Sequence, residues 1–143
     1  MALKQTARRI IGTLPWLGPA ALGVLRAVRR RTFPGSRDYW EARYARGGTS
    51  GPGSQGELAA FKAEVLNAFV REQGVASVIE FGCGDGQQLA LADYPAYLGL
   101  DVSPTAIRLC RERFRGDARK RFALYDPERH EPGDPAWQAD LAL

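Results

Sequence analysis

The chain has 143 residues, a formal net charge of +4, 45% apolar and 25% charged side chains. That length allows one domain, and the ordinary balance excludes a chain that is disordered throughout. Two cysteines and one histidine are too few for a disulfide framework or a structural zinc site, so a reducing cytoplasm is the simpler setting.

The charge is unevenly spread. Residues 1–37 hold eight basic side chains and no acid, which leaves −4 on the remainder. Ile10 to Leu25 is uncharged and lies between basic flanks, but Pro15, Gly18, Pro19 and Gly23 interrupt it. It falls short of the ~20 apolar residues that span a bilayer, and Ala27-Val28-Arg29-Arg30-Arg31 is a poor cleavage context for a secretory signal. The expectation is a basic, partly helical arm over 1–37. It is either a solvated extension or a peripheral membrane contact with Trp16 at the interface. The acidic body gives no reason to expect a nucleic-acid partner.

From residue 38 the pattern becomes that of a folded α/β domain. Asp38 to Tyr44 reads as a short helix with aromatic contacts. Residues 47–56 form a loop rich in glycine. Ser54 and Glu57 have capping-box spacing, and the helix they would open runs to about Gln73. Leu58, Phe61, Val65, Leu66 and Phe69 are its apolar face, and Gly74 is placed to end it.

Val75 to Phe81 is the first strand, followed by a glycine turn and a short helix from about Gln87 to Ala92. Tyr97 to Leu100 is the second strand, closed by Asp101. Ser103 and Pro104 open the next helix as N-cap and first helical residue. Ile107, Cys110 and Phe114 line one of its sides. Phe122 to Tyr125 is the third strand, ending at Asp126. A polar loop from Pro127 to Pro135 contains His130, which reads as a solvated residue rather than a general base. Ala139 to Leu143 begins a fourth strand. Strands alternating with helices predict a parallel sheet. Glu80, Asp101 and Asp126 then stand along its carboxyl edge, where open α/β sheets bind ligands.

The turn reads Glu80-Phe81-Gly82-Cys83-Gly84-Asp85-Gly86. Asp101 lies 19 positions after Gly82, suited to accept from both ribose hydroxyls of a nucleoside. This much fits NAD(P) as well as S-adenosyl-L-methionine. The dinucleotide fingerprint, however, wants a third glycine where Gln87 stands. A carboxylate at Glu80 would also crowd a pyrophosphate, whereas it suits a sulfonium and an amino group.

The stretch, with Asp101 and Asp126, resembles class I S-adenosylmethionine-dependent methyltransferases over roughly residues 38–143. The resemblance implies a Rossmann-like three-layer α/β/α fold with strand order 3-2-1-4-5-7-6, of which about four of seven strands are present. It implies that the backbone of Gly82, Cys83, Gly84 and Gly86 borders the methionine part of the cofactor. Glu80 would hold its amino group, Asp101 the ribose, Val102 the adenine face and Asp126 the adenine amino group. Tyr39, Trp40, Arg43 and Tyr44 resemble the N-terminal cap region of bacterial members.

Each of these residues also has a plainer reading. Glu80 fits a surface acid at a strand end, and Asp101 a cap for the Ser103 helix. Asp126, before Pro127, fits a turn. Cys83 fits a small packing residue, and Trp40 and Tyr44 fit packing better than a substrate cage.

The family's acceptor site comes mainly from elements after the fourth strand, so no catalytic residue is assigned. The expectation is a fragment of a longer product, or a truncation completed by an oligomer or a second chain. A small-molecule methyl acceptor is expected. An NAD(P)-binding oxidoreductase domain and a non-catalytic membrane-associated protein are the alternatives.

Overall fold

A computed structural model describes residues 33–129 and 137–143. The arm through residue 32, with Trp16, lies outside the described residues, and so does His130. Helix α1 spans Ser36–Ala45 and α2 spans Gly56–Glu72. Strand β1 (Val78–Phe81) leads to β2 (Tyr97–Asp101), helix α3 (Pro104–Arg113), β3 (Lys120–Leu124) and β4 (Leu141–Ala142).

The strands form one parallel sheet in the order β3-β2-β1-β4. Glu80 pairs with Gly99 and Gly99 with Phe122, so the side chains of Glu80 and Phe122, with those of Val78 and Tyr97, share one sheet face. That face carries the core. Val70 and Val75 at the end of α2, Ile107 and Cys110 of α3, and Leu89 pack with Val78, Tyr97 and Phe122. Tyr94 stacks on Tyr97, and Phe114 on Phe122. The described residues thus supply the sheet and one helical layer of the expected fold. Among them, no helix is long and apolar enough to cross a membrane.

Three sequence-based expectations are corrected. Ser54 does not cap α2: it ends a 3-10 turn (Pro52–Ser54), and α2 starts after Gln55 without a side-chain cap. The helix expected over Gln87–Ala92 is one 3-10 turn at Leu89–Leu91. Pro95 stands close after it, and β2 begins too soon for a longer helix. The third correction concerns the face of α2. Leu58, Phe61, Val65 and Phe69 are exposed, between 45% and 63%, while Ala59, Ala63 and Val70 are buried and Leu66 is half-buried against the core. The helix is tied to the turn after β1, where Gln88 Nε2 donates to Ala59 O and Asn67 Nδ2 to Leu91 O, both at 3.0 Å, and small side chains permit close approach on its buried side.

Hydrogen bonds tie the sheet region to α2 and fasten β4 to it. Val75 N donates to Val70 O across Gly74 and closes α2. Asp140 accepts from Ala76 N, Ser77 N and Ser77 Oγ at 2.8–3.0 Å, and these bonds hold its carboxyl below the usual range. This clamp sets the register of β4, whose Leu141 and Leu143 amides donate to Ser77 O and Ile79 O.

Candidate functional site

The carboxyl edge of the sheet is built from the ends of β1 and β2 and the turn between them. Gly82 N and Cys83 N both donate to Leu100 O, at 2.7 and 3.0 Å. The turn is therefore hung on β2. Gly82 has φ +91° and no atom within 4 Å of where a Cβ would stand. Its backbone is bare to an incoming molecule, in a conformation that favours glycine. Gly84, φ +60°, differs: a Cβ there would lie 2.2 Å from Ser50 Oγ and 2.9 Å from Tyr44 Oη. Gly86 faces Phe114 and Cys110. Of the three glycines, one borders open space and two serve close packing.

Asp101 is 6% exposed. Its Oδ2 accepts from Gly84 N and its Oδ1 from Ser103 N, both at 2.9 Å. Burial pushes its pKa up, and the backbone N–H groups oppose that rise. Each carboxylate oxygen can accept more than one hydrogen bond, so both retain capacity for a ligand hydroxyl. Val102 follows, half-buried.

Glu80 is turned toward the core face, where Tyr97 Oη donates to its Oε2 at 2.5 Å. Burial raises its pKa despite that bond. Cys83 is buried. Its hydrogen bond with Cys110, together with burial, pushes its thiol up, and it packs within the core cluster. Cys110 Sγ donates to Gly84 O at 3.2 Å.

Asp126 lies two residues beyond β3. Its Oδ1 accepts from Glu128 N at 3.1 Å and its Oδ2 is 3.4 Å from Arg129 Nε. It holds a turn, as its place before Pro127 allowed. The edge therefore brings Glu80, Gly82 and Asp101 together, while Asp126 is engaged locally.

Several residues that the motif did not mark turn out to shape the site. Asp85 is 4% exposed. Its carboxylate accepts from Ser50 Oγ (2.8 Å), Ser50 N (3.3 Å), Gln87 N (3.2 Å) and Gln87 Nε2 (3.0 Å). Tyr44 Oη lies 3.1 Å from Ser50 Oγ, and burial pushes its pKa up to about 12. The loop after α1 is thereby fastened onto the glycine turn. Glu41 accepts from Ser103 Oγ (2.5 Å), Thr105 Oγ1 (2.7 Å) and Thr105 N (3.0 Å). These bonds lower its pKa and fix α1 to the N-terminus of α3, where a negative charge is favourable. Trp40 stacks on Tyr44 and carries the Arg43 guanidinium over its ring. Phe81, Tyr125 and Trp137 form a second aromatic cluster, with ring centroids 5.3–6.5 Å apart. Phe81 joins it to Gly82. The resemblance of Tyr39, Trp40, Arg43 and Tyr44 to an N-terminal cap region was the signal that this segment meets the site.

No family model and no curated protein matches the chain. Solved structures do. The amino pentose methyltransferase CalS10 of Micromonospora echinaspora, with S-adenosylmethionine bound, is 23% identical over 66% of this chain and 37% of its own, at a TM-score of 0.45. The methyltransferase PaMTH1 of Podospora anserina, with S-adenosylhomocysteine bound, is 17% identical over 81% of this chain and 53% of its own, at 0.43. A bacterial Hen1 methyltransferase domain is 27% identical over 48% and 40%, at 0.40. The chain spans about half of these structures or less. Its own sheet order, β3-β2-β1-β4, is the first part of the order that the class I methyltransferase resemblance implies. The fold is Rossmann-like.

Proposed function

We propose that the chain binds S-adenosyl-L-methionine and is the cofactor-binding part of a methyltransferase. The observation that carries this reading is the bare backbone of Gly82, at φ +91°, between Glu80 and Asp101 on the carboxyl edge of a parallel sheet. A ligand lying there meets no side chain at Gly82, the buried Asp101 and the half-buried Glu80, whose charge suits a sulfonium and an amino group. Asp101 is the ribose acceptor, Val102 the adenine wall, and the Gly82–Gly84 backbone the cradle of the methionine part. Glu80 acts as a negative charge beneath that cradle rather than as a direct ligand, since Tyr97 already occupies one of its oxygens. When bound, the cofactor supplies an electrophilic methyl group. The residues of this chain orient it and keep water from its ribose. The acceptor is a small molecule, in keeping with the net negative body.

Calorimetric titration with S-adenosylhomocysteine, repeated in the presence of NADH, tests this. Binding that NADH does not displace, weakened at least about tenfold in Asp101→Ala, supports it. A folded sample that takes up no S-adenosylhomocysteine, or one in which NADH competes, overturns it.

A further inference from the structure

Within the acidic body one element is strongly basic. Residues 104–121 hold seven basic and two acidic side chains, while the rest of 38–143 holds five basic and fourteen acidic. The excess is organised in space. Arg108, Arg111 and Arg115 recur at helical spacing and lie on one flank of α3 and its C-terminal continuation. That flank faces β3, the outer strand of the sheet, because the Arg111 guanidinium donates to Phe122 O at 2.7 Å. Arg119 and Arg121 stand beside it at the start of β3. All five arginines are exposed. Arg108 pairs with Glu112 and Arg119 with Asp117, which leaves a clear positive surplus along the edge.

Arg108, Arg111 and Arg115, with Glu112 paired to Arg108, rim a groove of about 430 Å³ whose apolar lining is Pro104, Ile107 and Leu124. Leu124 is 40% exposed and is the one large exposed apolar side chain on this edge. The nearest aromatic rings are Phe114, half-buried with Lys120 over its face, and Phe122, buried in the core. Cationic forks around an aliphatic floor suit phosphate head groups with the upper part of an acyl chain. Stacking platforms for unpaired bases would require aromatic rings.

We propose that this arginine-lined sheet edge is a docking surface for an anionic phospholipid membrane. The choice of a bilayer over a nucleic acid rests on a second feature of the same chain. The 1–37 segment combines eight basic residues with an uncharged, largely apolar run, Ile10 to Leu25. A membrane uses both the charge and the apolar run, whereas a nucleic acid would use only the charge. One weak signal holds a protein on a membrane only marginally, and two add. This inference does not rest on the cofactor reading.

The experiment is flotation of the full chain with vesicles of phosphatidylcholine alone, or with about 30% phosphatidylserine, at about 0.1 M salt. Arg115→Gln/Arg121→Gln removes two exposed charges that make no hydrogen bond holding the fold, and Arg111 is left in place. A second full-length variant, Arg29→Gln/Arg30→Gln/Arg31→Gln, weakens the arm alone. The expected result is binding that needs phosphatidylserine. It falls roughly tenfold or more in the sheet-edge variant, and falls again when the two sets are combined. Equal flotation of the wild type and the sheet-edge variant overturns the proposal. So does tighter binding to a DNA duplex or single strand than to the anionic vesicle at equal phosphate and salt. An unchanged melting curve for the sheet-edge variant shows that a loss reflects the surface. If that variant melts early, the single variants Arg115→Gln and Arg121→Gln replace it, and equal flotation of both with the wild type overturns the proposal.

Discussion

At the scale of single residues, the glycine turn separates into positions that serve a ligand and positions that serve the fold. Gly82 borders open space, so Gly82→Ala meets only the left-handed backbone cost, about 1–2 kcal/mol. It also places a methyl group where the cofactor would lie. Gly84→Ala carries the same backbone cost and must in addition displace Ser50 and Tyr44. Ser50 is bonded to the buried Asp85, so its movement breaks hydrogen bonds worth about 1–3 kcal/mol when left unmade. Urea unfolding should therefore rank Gly84→Ala as the less stable variant, whereas titration with S-adenosylhomocysteine should find the Gly82→Ala variant impaired while still well folded. The reverse ranking would mean that the cradle is at Gly84. Sequence spacing marks all three glycines alike. What tells them apart is the contact between Ser50 and Asp85, 35 residues apart, which only the folded chain makes.

At the scale of elements, what could be read from the sequence depended on whether one local signal sufficed. Buried parallel strands are short apolar runs, so β1 and β2 were visible, and Ser103 with Pro104 announced α3. Ser103 Oγ does accept from Ala106 N. Helix α2 was also visible, but its orientation was not. Periodicity finds an apolar stripe, and the helix has two: a bulky one of Leu58, Phe61, Val65 and Phe69, and a small one of Ala59, Ala63 and Val70. Close approach to the turn at Leu89–Leu91 selected the small one. The clasp of Glu41 on Ser103 and Thr105 was illegible because it joins positions more than 60 apart with no motif between them. The orientation of α2 can be tested directly. Ala63 is 6% exposed and Phe61 is 63% exposed. Ala63→Leu overpacks the buried side of α2 and should cost about 1–3 kcal/mol. Phe61→Ser removes a larger apolar group from the surface and should change stability by about 0.5 kcal/mol or less. Chemical unfolding of the two variants checks this. A severe loss in Phe61→Ser would show that the bulky stripe is covered.

At the scale of the whole molecule, the two kinds of carboxyl in this chain set how ligand charge and pH are linked. Glu80 and Asp101 have pKa values raised by burial. Folding therefore favours their protonated forms. The stability they contribute is fully present below the unfolded carboxyl range, about pH 4, and is lost as pH rises through their folded values. Glu41 runs the other way. Its lowered pKa adds stability above the unfolded range that disappears as pH falls through its folded value. A cation bound between Glu80 and Asp101 favours their ionised forms, so by linkage their ionisation favours the cation. S-adenosylmethionine carries a sulfonium charge that S-adenosylhomocysteine lacks, while the two share every other group that this edge would contact. The ratio of their affinities isolates that charge, because effects of pH on the common amino and carboxylate groups cancel. The affinity of S-adenosylmethionine relative to S-adenosylhomocysteine should therefore rise as pH climbs from about 4 through the folded values of these carboxyls, and the rise should shrink in Glu80→Gln, which keeps an acceptor for Tyr97 but cannot ionise. Thermal shifts measured with both ligands at each pH report it, since a ligand at one hundred times its Kd stabilises by about 2.7 kcal/mol. A ratio that stays flat across that range would place the sulfonium away from both carboxyls and move the ligand off this edge of the sheet.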